Sequence, residues 1–437
     1  MASGRDSVKL QGVEPFRPYP IHSAREGHAS FRPWTKRRRF MSSILAAVLL
    51  LSGWDVDGHA IAGEKPVSAA ADVSEPRLPA RPAMKAGRLG RAADGRIVLQ
   101  AAAQRTLRVC PAERADSACT HSELQAAVDA AEPGDTIVLA PGIFEQGAVI
   151  DVDRLILVGE PGAHLTGHPV QGKAALVITG AQVVVDGIEC SRIQVPDLNG
   201  ACIRIEGDDL TVKNVWFHDS EQGILSGPGG GTLLIEDSRF ERNGRDGYAH
   251  GVYIGRAVET FIFRGNRVLS TVSEGHGVKS RARRTTIENN VIAGLDGDDS
   301  RAIDIPNGGE VLIRHNVLEK GPNSLNSQMI GLSLEGDPHP SNTAIIEGNL
   351  IVFDAQAPGL AQAVDDIIDV VPAKGQVILS QPPATVILRE NVIVGAREIG
   401  VDTAEGANRM FKSRRAAGLP AYPEVSPSML SAIPDAD

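Results

Sequence analysis

Ile287-Glu288-Asn289-Asn290-Val291-Ile292 is one copy of a six-residue phrase that recurs along this chain of 437 residues. Each copy begins and ends with an apolar residue, and most copies carry Asn at the fourth position. The other copies begin at Val212, Ile235, Phe263, Ile313, Ile346 and Leu388. The fourth-position residues Asn266, Asn290, Asn316, Asn349 and Asn391 are separated by 24, 26, 33 and 42 residues. Repeats of this length indicate coils stacked along one axis, each supported by its neighbours.

The repeated phrase predicts a strand that is too short to bury an apolar face alone. Stacked strands lie about 4.8 Å apart, so equivalent aliphatic residues fill a continuous bore, and one Asn side chain can bond the Asn of the next coil. An Asn at a bend can also adopt the left-handed backbone conformation. The Leu-x-x-Leu-x-Leu frame of leucine-rich repeats is absent, and the dense Gly and Asn exclude helical repeats. The sequence therefore predicts an all-β fold, a single-stranded right-handed parallel β-helix.

A short helix is predicted before the first coil. Thr120-His121-Ser122-Glu123 has the form of a capping box, and Leu124, Ala127, Val128 and Ala131 then follow helical spacing. An open coil end would expose apolar core and unpaired strand edges. We therefore expect this helix to cap the N-terminal end of the stack.

The region before the repeats predicts export. The basic run Lys36–Arg39, the apolar run Ile44–Leu51 and the small residues at Ala60-Ile61-Ala62 are typical of a secretory signal peptide. Arg37 to Phe40 also resembles a twin-arginine signal, and a retained N-terminal anchor is the alternative. We expect a periplasmic or extracellular protein. The predicted domains are an export signal region at 1–62, a flexible linker at 63–105, the β-helix at 106–405 and a Pro-rich tail at 406–437.

Composition limits the partners of this protein. A net charge of −10 argues against nucleic-acid binding. The apolar run is shorter than the roughly 20 residues that a membrane span needs, so we expect no stable span after signal removal, and we expect a monomer.

Four cysteines fall in two close pairs, Cys110 with Cys119 and Cys190 with Cys202. The absence of Cys-x-x-Cys spacing argues against a zinc ribbon or a thioredoxin-type site. In an exported protein each pair can close a local disulfide. The alternative is four small buried thiols.

Polar residues gather on one predicted strand of successive coils. Alternation along that strand predicts an outward column of Arg204, Leu225, Tyr253, Lys279, Asp304 and Ser333. A second column comprises Gln222, His250, His276, Arg301 and Ile330. Small residues beside them leave space for a ligand, so this mixed patch is the predicted functional site.

The repeats and this patch resemble the pectate-lyase-like superfamily over roughly Cys110 to Thr403. Lys279 and Arg301, one coil apart, are similar to the Lys/Arg arrangement of alginate and chondroitin-B lyases. The resemblance implies a uronate-containing polysaccharide as the substrate. It implies Lys279 as the base that abstracts the C5 proton and Arg301 as the charge stabiliser or acid. His276 and His250 complete the predicted catalytic set, and Tyr253, Asp304 and Arg204 are predicted to bind substrate.

In that family calcium can neutralise the substrate carboxylate. Asp296, Asp298 and Asp299 lie in the loop between Lys279 and Arg301 and offer carboxylates to a hard cation. Calcium is therefore the candidate cofactor, with these three residues as its predicted ligands.

Three alternatives stay open. Mannuronan epimerases share the fold and also abstract a proton, but their Asp-Pro-His-Asp motif is matched only in part, by Asp337-Pro338-His339-Pro340. Gly275-His276-Gly277 resembles polygalacturonase-type hydrolases, which need paired aspartates that the preceding coil lacks. A non-catalytic glycan-binding or surface-structural β-helix is the third, with Lys279 and Asp304 forming a ladder salt bridge on an ordinary solvated face.

Overall fold

The structure is a computed structural model that describes residues 87–91, 97–101, 104–114, 117–354, 375–382, 384–401 and 408–431. The predicted export signal region, 1–62, lies outside these residues. Within the predicted linker, 63–105, the backbone forms an antiparallel hairpin of β1 (Gly87–Arg91) and β2 (Ile97–Ala101). The remaining strands form three all-parallel sheets, in which each strand pairs with its equivalents in the coils before and after it.

From β4 to β30 each coil contributes one strand to each sheet, in the order first, second, third. The first sheet contains β3 Thr106–Val109, β4 Thr136–Leu139, β7 Ile156–Gly159, β10 Val183–Asp186, β13 Leu210–Lys213, β16 Thr232–Glu236, β19 Thr260–Arg264, β22 Arg284–Glu288, β25 Glu310–Arg314, β28 Thr343–Glu347 and β31 Thr385–Arg389. The second contains β5 Gly142–Gln146, β8 Ala163–His168, β11 Glu189–Ser191, β14 Trp216–His218, β17 Arg239–Glu241, β20 Arg267–Leu269, β23 Val291–Ala293, β26 Val317–Lys320, β29 Leu350–Phe353, β32 Val392–Val394 and β33 Arg409–Phe411. The third contains β6 Ala148–Ile150, β9 Ala174–Ile178, β12 Ala201–Ile205, β15 Gln222–Ser226, β18 Val252–Ile254, β21 Val278–Ser280, β24 Ile303–Ile305, β27 Gln328–Leu332 and β30 Gln376–Ser380. The predicted fold class, a right-handed parallel β-helix, is confirmed.

The helix α1 (Leu124–Ala130) covers the N-terminal end of the stack, where it contacts β3, β4 and β6. Its buried face consists of Leu124, Ala127 and Val128, as the helical spacing predicts. The predicted capping box is wrong, because Glu123 is the N-cap and makes no side-chain cap bond. The Thr120 hydroxyl instead donates to the backbone oxygen of Arg108 at 3.0 Å, which ties the helix entry to β3.

The bore is filled by inward side chains of all three sheets. Phe217 and Phe240 of the second sheet stack with ring centroids 4.7 Å apart, and Phe263 of the first sheet packs against Phe240 at 5.8 Å; all three side chains are fully buried. Complete burial of one such side chain stabilises the fold by roughly 1.5–3 kcal/mol. The aliphatic ends of the repeated phrase therefore supply the main driving force for stacking.

A buried amide ladder runs along the corner between the first and second sheets. The Nδ2 atom of each Asn donates to Oδ1 of the next, from Asn266 through Asn290, Asn316, Asn349 and Asn391 to Asn408. Each Nδ2 also donates to a backbone oxygen, for example Asn316 to Ile287 at 2.9 Å. The left-handed conformation belongs to the residue before each rung from Asn266 to Asn391 and not to the rung Asn itself, as in Asn289 (φ 58°) and His315 (φ 54°). The left-handed residue makes the turn, which leaves the Asn side chain free to point inward.

The register of the third sheet corrects both predicted columns at their C-terminal ends. Asp304 pairs with Gly331, so the expected position of Ser333 in the outward column is wrong. Ile330 pairs with the core residue Ile303, which places Gln328, not Ile330, next to Arg301. The two-residue shift arises because the aliphatic pattern of Ile330, Leu332 and Leu334 fits either register.

The stack continues beyond residue 405, because β33 pairs with β32 and Asn408 adds the last amide rung. The segment after β33 packs on the outer face of the second sheet, where Ala417, Leu419 and Met429 bury Val317 and Val352. This covering segment explains why the outer face of the sheet is apolar in its C-terminal coils.

Candidate functional site

The outward column of the third sheet brings Tyr253, Lys279 and Asp304 together on β18, β21 and β24. Tyr253 pairs with Lys279, and Lys279 pairs with Asp304. Lys279 Nζ lies 3.5 Å from Asp304 Oδ2 and 5.7 Å from the centre of the Tyr253 ring. The salt bridge that the non-catalytic alternative requires is therefore present. It is not on a solvated face, since Lys279 is 9% exposed and Asp304 is 2% exposed.

Asp304 is the centre of this cluster. Arg301 Nη1 lies 3.2 Å from its Oδ1, and His276 Nε2 lies 3.5 Å from its Oδ2. Burial raises the pKa of the Asp304 carboxyl above its ordinary value, against the opposing attraction of Lys279 and Arg301. Arg301 reaches Asp304 because Gly331 leaves space: a Cβ there would lie 2.8 Å from Arg301 Cδ.

The two histidines form a stacked pair with fixed tautomers. Their rings lie 4.9 Å apart, and both side chains are buried. His250 Nδ1 accepts from the backbone N–H of His276, and His276 Nδ1 accepts from the backbone N–H of Arg301, both at 3.1 Å. Burial lowers the pKa of His250 to about 3 and holds the pKa of His276 well below its usual value. Both rings are therefore neutral, with the proton on Nε2, and can donate a hydrogen bond there.

A loop that follows β27, two coils further along the stack, covers Lys279. Glu335 Oε1 accepts from Lys279 Nζ at 3.0 Å, and its other oxygen accepts from Arg281 Nη2. Arg281 also donates to Tyr253 Oη at 2.9 Å and to Asn307 Oδ1 at 2.7 Å. These ion pairs lower the pKa of Glu335 against the cost of partial burial. The side chain of Glu335 is 47% exposed, whereas that of Arg281 is 18% exposed. We call Tyr253, Lys279, Arg281, Asp304 and Glu335 the Lys279 pocket.

Arg204 does not reach the Lys279 pocket. It pairs with Leu225, which separates it from Tyr253 by a full coil. Its guanidinium lies 3.5 Å from Glu206, which in turn binds Lys173. Arg204 therefore belongs to a separate ion-pair group, and its substrate-binding role stays a prediction.

The predicted calcium ligands do not converge. Asp296 accepts from the Ser270 hydroxyl, Asp298 from the backbone of Ser273, and Asp299 from the Ser324 hydroxyl. Asp299 is buried beside Lys320 Nζ at 3.4 Å, and burial raises its pKa. Within the described residues these carboxylates form no group with the spacing of a metal site. The structure therefore does not bring Asp296, Asp298 and Asp299 together, because each side chain bonds a different partner, and the calcium site stays a prediction.

Sequence reasoning missed Arg281 and Glu335. Arg281 lies two residues after Lys279 on the same strand face, so strict alternation would have found it. Glu335 belongs to a loop more than fifty residues away in sequence, and no local pattern places that loop over Lys279.

The match to a known protein family lies within the coil region. Residues 174–328 match the family model described as a right handed beta helix region. This segment is a right-handed β-helix. No curated protein matches the sequence.

Several solved β-helix structures are similar to the chain. An alginate lyase from Paenibacillus sp. strain FPU-7 is 17% identical, with a TM-score of 0.49, covering 71% of this chain and 98% of the lyase. The pectate lyase Pel9A is 14% identical, with a TM-score of 0.42, covering 62% of this chain and 85% of that one. The A-module of the Azotobacter vinelandii mannuronan C-5 epimerase AlgE6 is 13% identical, with a TM-score of 0.35, covering 69% of this chain and 95% of the module.

Among the described residues, no helix has the length and apolar character to cross a membrane.

Proposed function

We propose that this protein acts on an acidic polysaccharide, and that a uronate carboxylate binds Lys279 and Arg281 in place of Glu335. Proton abstraction at C5 of that uronate, as in a lyase or a C5-epimerase, is the proposed chemistry. The proposal rests on one observation: two largely buried cations hold the carboxylate of a half-exposed loop residue.

Glu335 marks the position that a substrate carboxylate would take. Charge-assisted hydrogen bonds from Lys and Arg to a carboxylate are stronger than neutral ones. A bound uronate would keep both of these bonds and release Glu335 to water. Because one carboxylate replaces another, the exchange leaves no buried cation without a partner.

Neutralisation of the carboxylate is the step that the pocket can perform directly. Removal of the C5 proton places negative charge on the uronate carboxyl group, and two preorganised cations stabilise that charge. In the proposed step the Tyr253 phenolate, whose Oη accepts from Arg281 Nε at 2.9 Å, takes the C5 proton, and in a lyase the phenol then gives that proton to the C4 oxygen as the C4–O bond breaks. Lys279 in its neutral form is the second candidate for the base, with Arg281 then holding the carboxylate alone.

Binding without turnover is the second candidate function. The Nδ1 lone pairs of His250 and His276 are occupied by backbone N–H groups, so neither histidine has a free acceptor for a proton. Lys279 is bound to two carboxylates. Both observations favour a site that holds an acidic glycan and leaves it intact.

The test is the absorbance of unsaturated products on a panel of acidic polysaccharides, together with NMR of the polymer in D2O to detect exchange at C5. Wild-type protein is compared with Lys279→Ala, Tyr253→Phe and the control Lys213→Ala. Lys213 is paired with Asp186 on the first sheet, away from the pocket. Turnover that is lost in Lys279→Ala and Tyr253→Phe supports the proposed chemistry. Binding without any turnover supports the second candidate, and the absence of both overturns the proposal.

We also propose that the protein is exported to the periplasm or the extracellular space. Its cysteines join as Cys110–Cys119 and Cys190–Cys202, and structural disulfides persist in oxidising compartments. Fractionation of producing cells tests this proposal, and full-length protein that stays in the cytoplasm would contradict it.

A further inference from the structure

We propose that His164, Glu189 and His218 form a binding site for a divalent transition-metal ion of the zinc class on the outer face of the second sheet. This His-Glu-His site lies on a different sheet from the Lys279 pocket and is independent of the proposed function. It does not include Asp296, Asp298 and Asp299, the loop residues that the sequence analysis assigned to calcium.

Three successive coils supply the three side chains. Strands β8, β11 and β14 are adjacent and parallel, with His164 paired to Glu189 and Ser191 paired to His218. Glu189 and Ser191 lie on one face because side chains alternate along a strand. The intervening Cys190 points into the bore, where its disulfide to Cys202 holds β11.

The spacing of the ligand atoms fits one metal ion. His164 Nδ1 lies 3.5 Å and His218 Nε2 lies 3.1 Å from Glu189 Oε1. The three ligand atoms all lie within 4.8 Å of one another. Ligands at about 2.0–2.2 Å around a tetrahedral zinc ion are separated by about 3.3 Å. The observed separations therefore require little movement to enclose an ion.

The hydrogen bonds around His218 indicate that a cation belongs between its ring and Glu189. His218 Nδ1 lies 2.6 Å from Asp219 Oδ2, so Nδ1 carries the proton and donates it to that carboxylate. With the proton on Nδ1, the Nε2 lone pair points at Glu189 Oε1, 3.1 Å away, which is also an acceptor. A cation between these two atoms, either a metal ion or a second ring proton, satisfies both. A carboxylate that receives the second ring N–H is the usual support of a metal-bound histidine.

The donor set selects the class of ion. Two imidazole nitrogens favour zinc and other late transition metals over calcium or magnesium, which prefer oxygen ligands. Three protein ligands leave the fourth position open to water or a ligand. The side chains of His164, Glu189 and His218 are 15%, 29% and 12% exposed, so this position can face solvent.

Trp216 provides an optical probe of the site. Its ring stacks on His218 with centroids 4.2 Å apart. The other tryptophans, Trp34 and Trp54, precede the described residues. Every described cysteine is in a disulfide, so no described thiolate competes for the metal. Paramagnetic Co²⁺ bound at His218 would quench the fluorescence of Trp216.

The experiment uses full-length protein treated with a chelator and then dialysed against Zn²⁺ or Co²⁺. We expect about one ion per chain, bound at micromolar concentrations by three protein ligands, and Co²⁺ quenching that disappears in Trp216→Phe. We expect Glu189→Gln and His218→Ala to weaken binding by about 100-fold or more and Asp219→Asn by about 10- to 100-fold. The matched control is His168→Ala, an exposed histidine on the same strand as His164.

Circular dichroism of each variant checks that the coils still form, and the near-isosteric Glu189→Gln keeps the test valid if His218→Ala does not fold. Binding that is unchanged in Glu189→Gln overturns the proposal. So does a wild-type protein that binds neither ion at micromolar concentration, or binding that His168→Ala alone removes.

Discussion

His276 Nδ1 accepts a hydrogen bond from the backbone N–H of Arg301 at 3.1 Å, one coil further along the stack. His250 Nδ1 receives the N–H of His276 in the same way. Two imidazole rings thus replace the backbone acceptors at the entrance of the third sheet. Protonation of either ring at Nδ1 would break a bond between coils.

The stability of the protein should therefore fall in acid. The folded-state pKa of His250 is about 3, below its ordinary value of 6.5. The unfolded chain binds a proton between these two values and the folded chain does not, so stability is lost as the pH falls from about 6.5 to about 3. His250→Asn keeps an acceptor near the Nδ1 position without the titrating ring. Urea unfolding across this range should show a shallower loss for His250→Asn, and the exposed His168→Asn should follow wild type. Equal slopes for all three proteins would contradict the assignment.

Glu319 should produce the opposite trend at higher pH. Burial, with Asp354 and Asp299 nearby, raises the pKa of this fully buried carboxyl to about 8. Between about pH 4.5 and pH 8 the folded chain holds a proton that the unfolded chain releases, so stability falls as the pH rises.

Glu319→Gln resembles the neutral acid and should remove this decline. Its amide oxygen can still accept from the backbone N–H of Leu295, which lies 2.9 Å from Glu319 Oε2. The measurement is the urea midpoint at several pH values, with the exposed Glu145→Gln as the control. A decline that persists in Glu319→Gln would assign the effect to other groups.

Removal of Glu335 should strengthen the binding of acidic polysaccharide. Its carboxylate competes with the substrate for Lys279 and Arg281. We expect Glu335→Gln to raise affinity by about 10-fold and Lys279→Met to lower it by at least as much, since charged hydrogen bonds contribute about 1.5–3 kcal/mol each. Titration at two salt concentrations measures both effects.

The matched control is Asp337→Asn, which removes the same charge from the same loop. Asp337 pairs with Arg256 outside the pocket, and its side chain is 83% exposed. An equal gain in Asp337→Asn would show that net charge, not release of the pocket, governs binding.

Loss of a central amide rung should cost far more than loss of the last one. Asn316 accepts two hydrogen bonds from Asn290 and donates to Asn349 and Ile287. Asn316→Ala leaves buried donors and acceptors unpaired, which costs about 3 kcal/mol or more. Asn408→Ala breaks a part-buried end rung and should cost about 1 kcal/mol. The free energy of unfolding in urea measures both, and equal losses would show that the ladder is not cooperative.

The fold could be predicted because its signals are local. Each coil carries its own aliphatic ends and its own Asn, and the predicted rungs from Asn266 to Asn391 pair in the expected order. The position of the left-handed residue could not be predicted, since Asn289 and Asn290 are both Asn and only three-dimensional packing decides which turns outward.

The candidate site was predictable only where the coils are regular. Tyr253, Lys279 and Asp304 follow one strand pattern and pair as expected. The register fails at Gly331, where the aliphatic pattern of Ile330, Leu332 and Leu334 fits two registers. The His-Glu-His site was missed because its three residues do not occupy one register position. Glu189 pairs with Trp216, and His218 lies two residues further along the same strand.

The unequal rung separations of 24, 26, 33 and 42 residues show that coil length varies while the ladder stays in step. Among the described residues, the extra residues between Asn316 and Asn349 include the outer loop that carries Glu335 over Lys279. Loop grafting can therefore be tried between strands without disturbing the coils on either side. A single deletion inside the phrase around Asn316 would instead shift which side chains face the bore, and the molecule would lose its core from that coil onward.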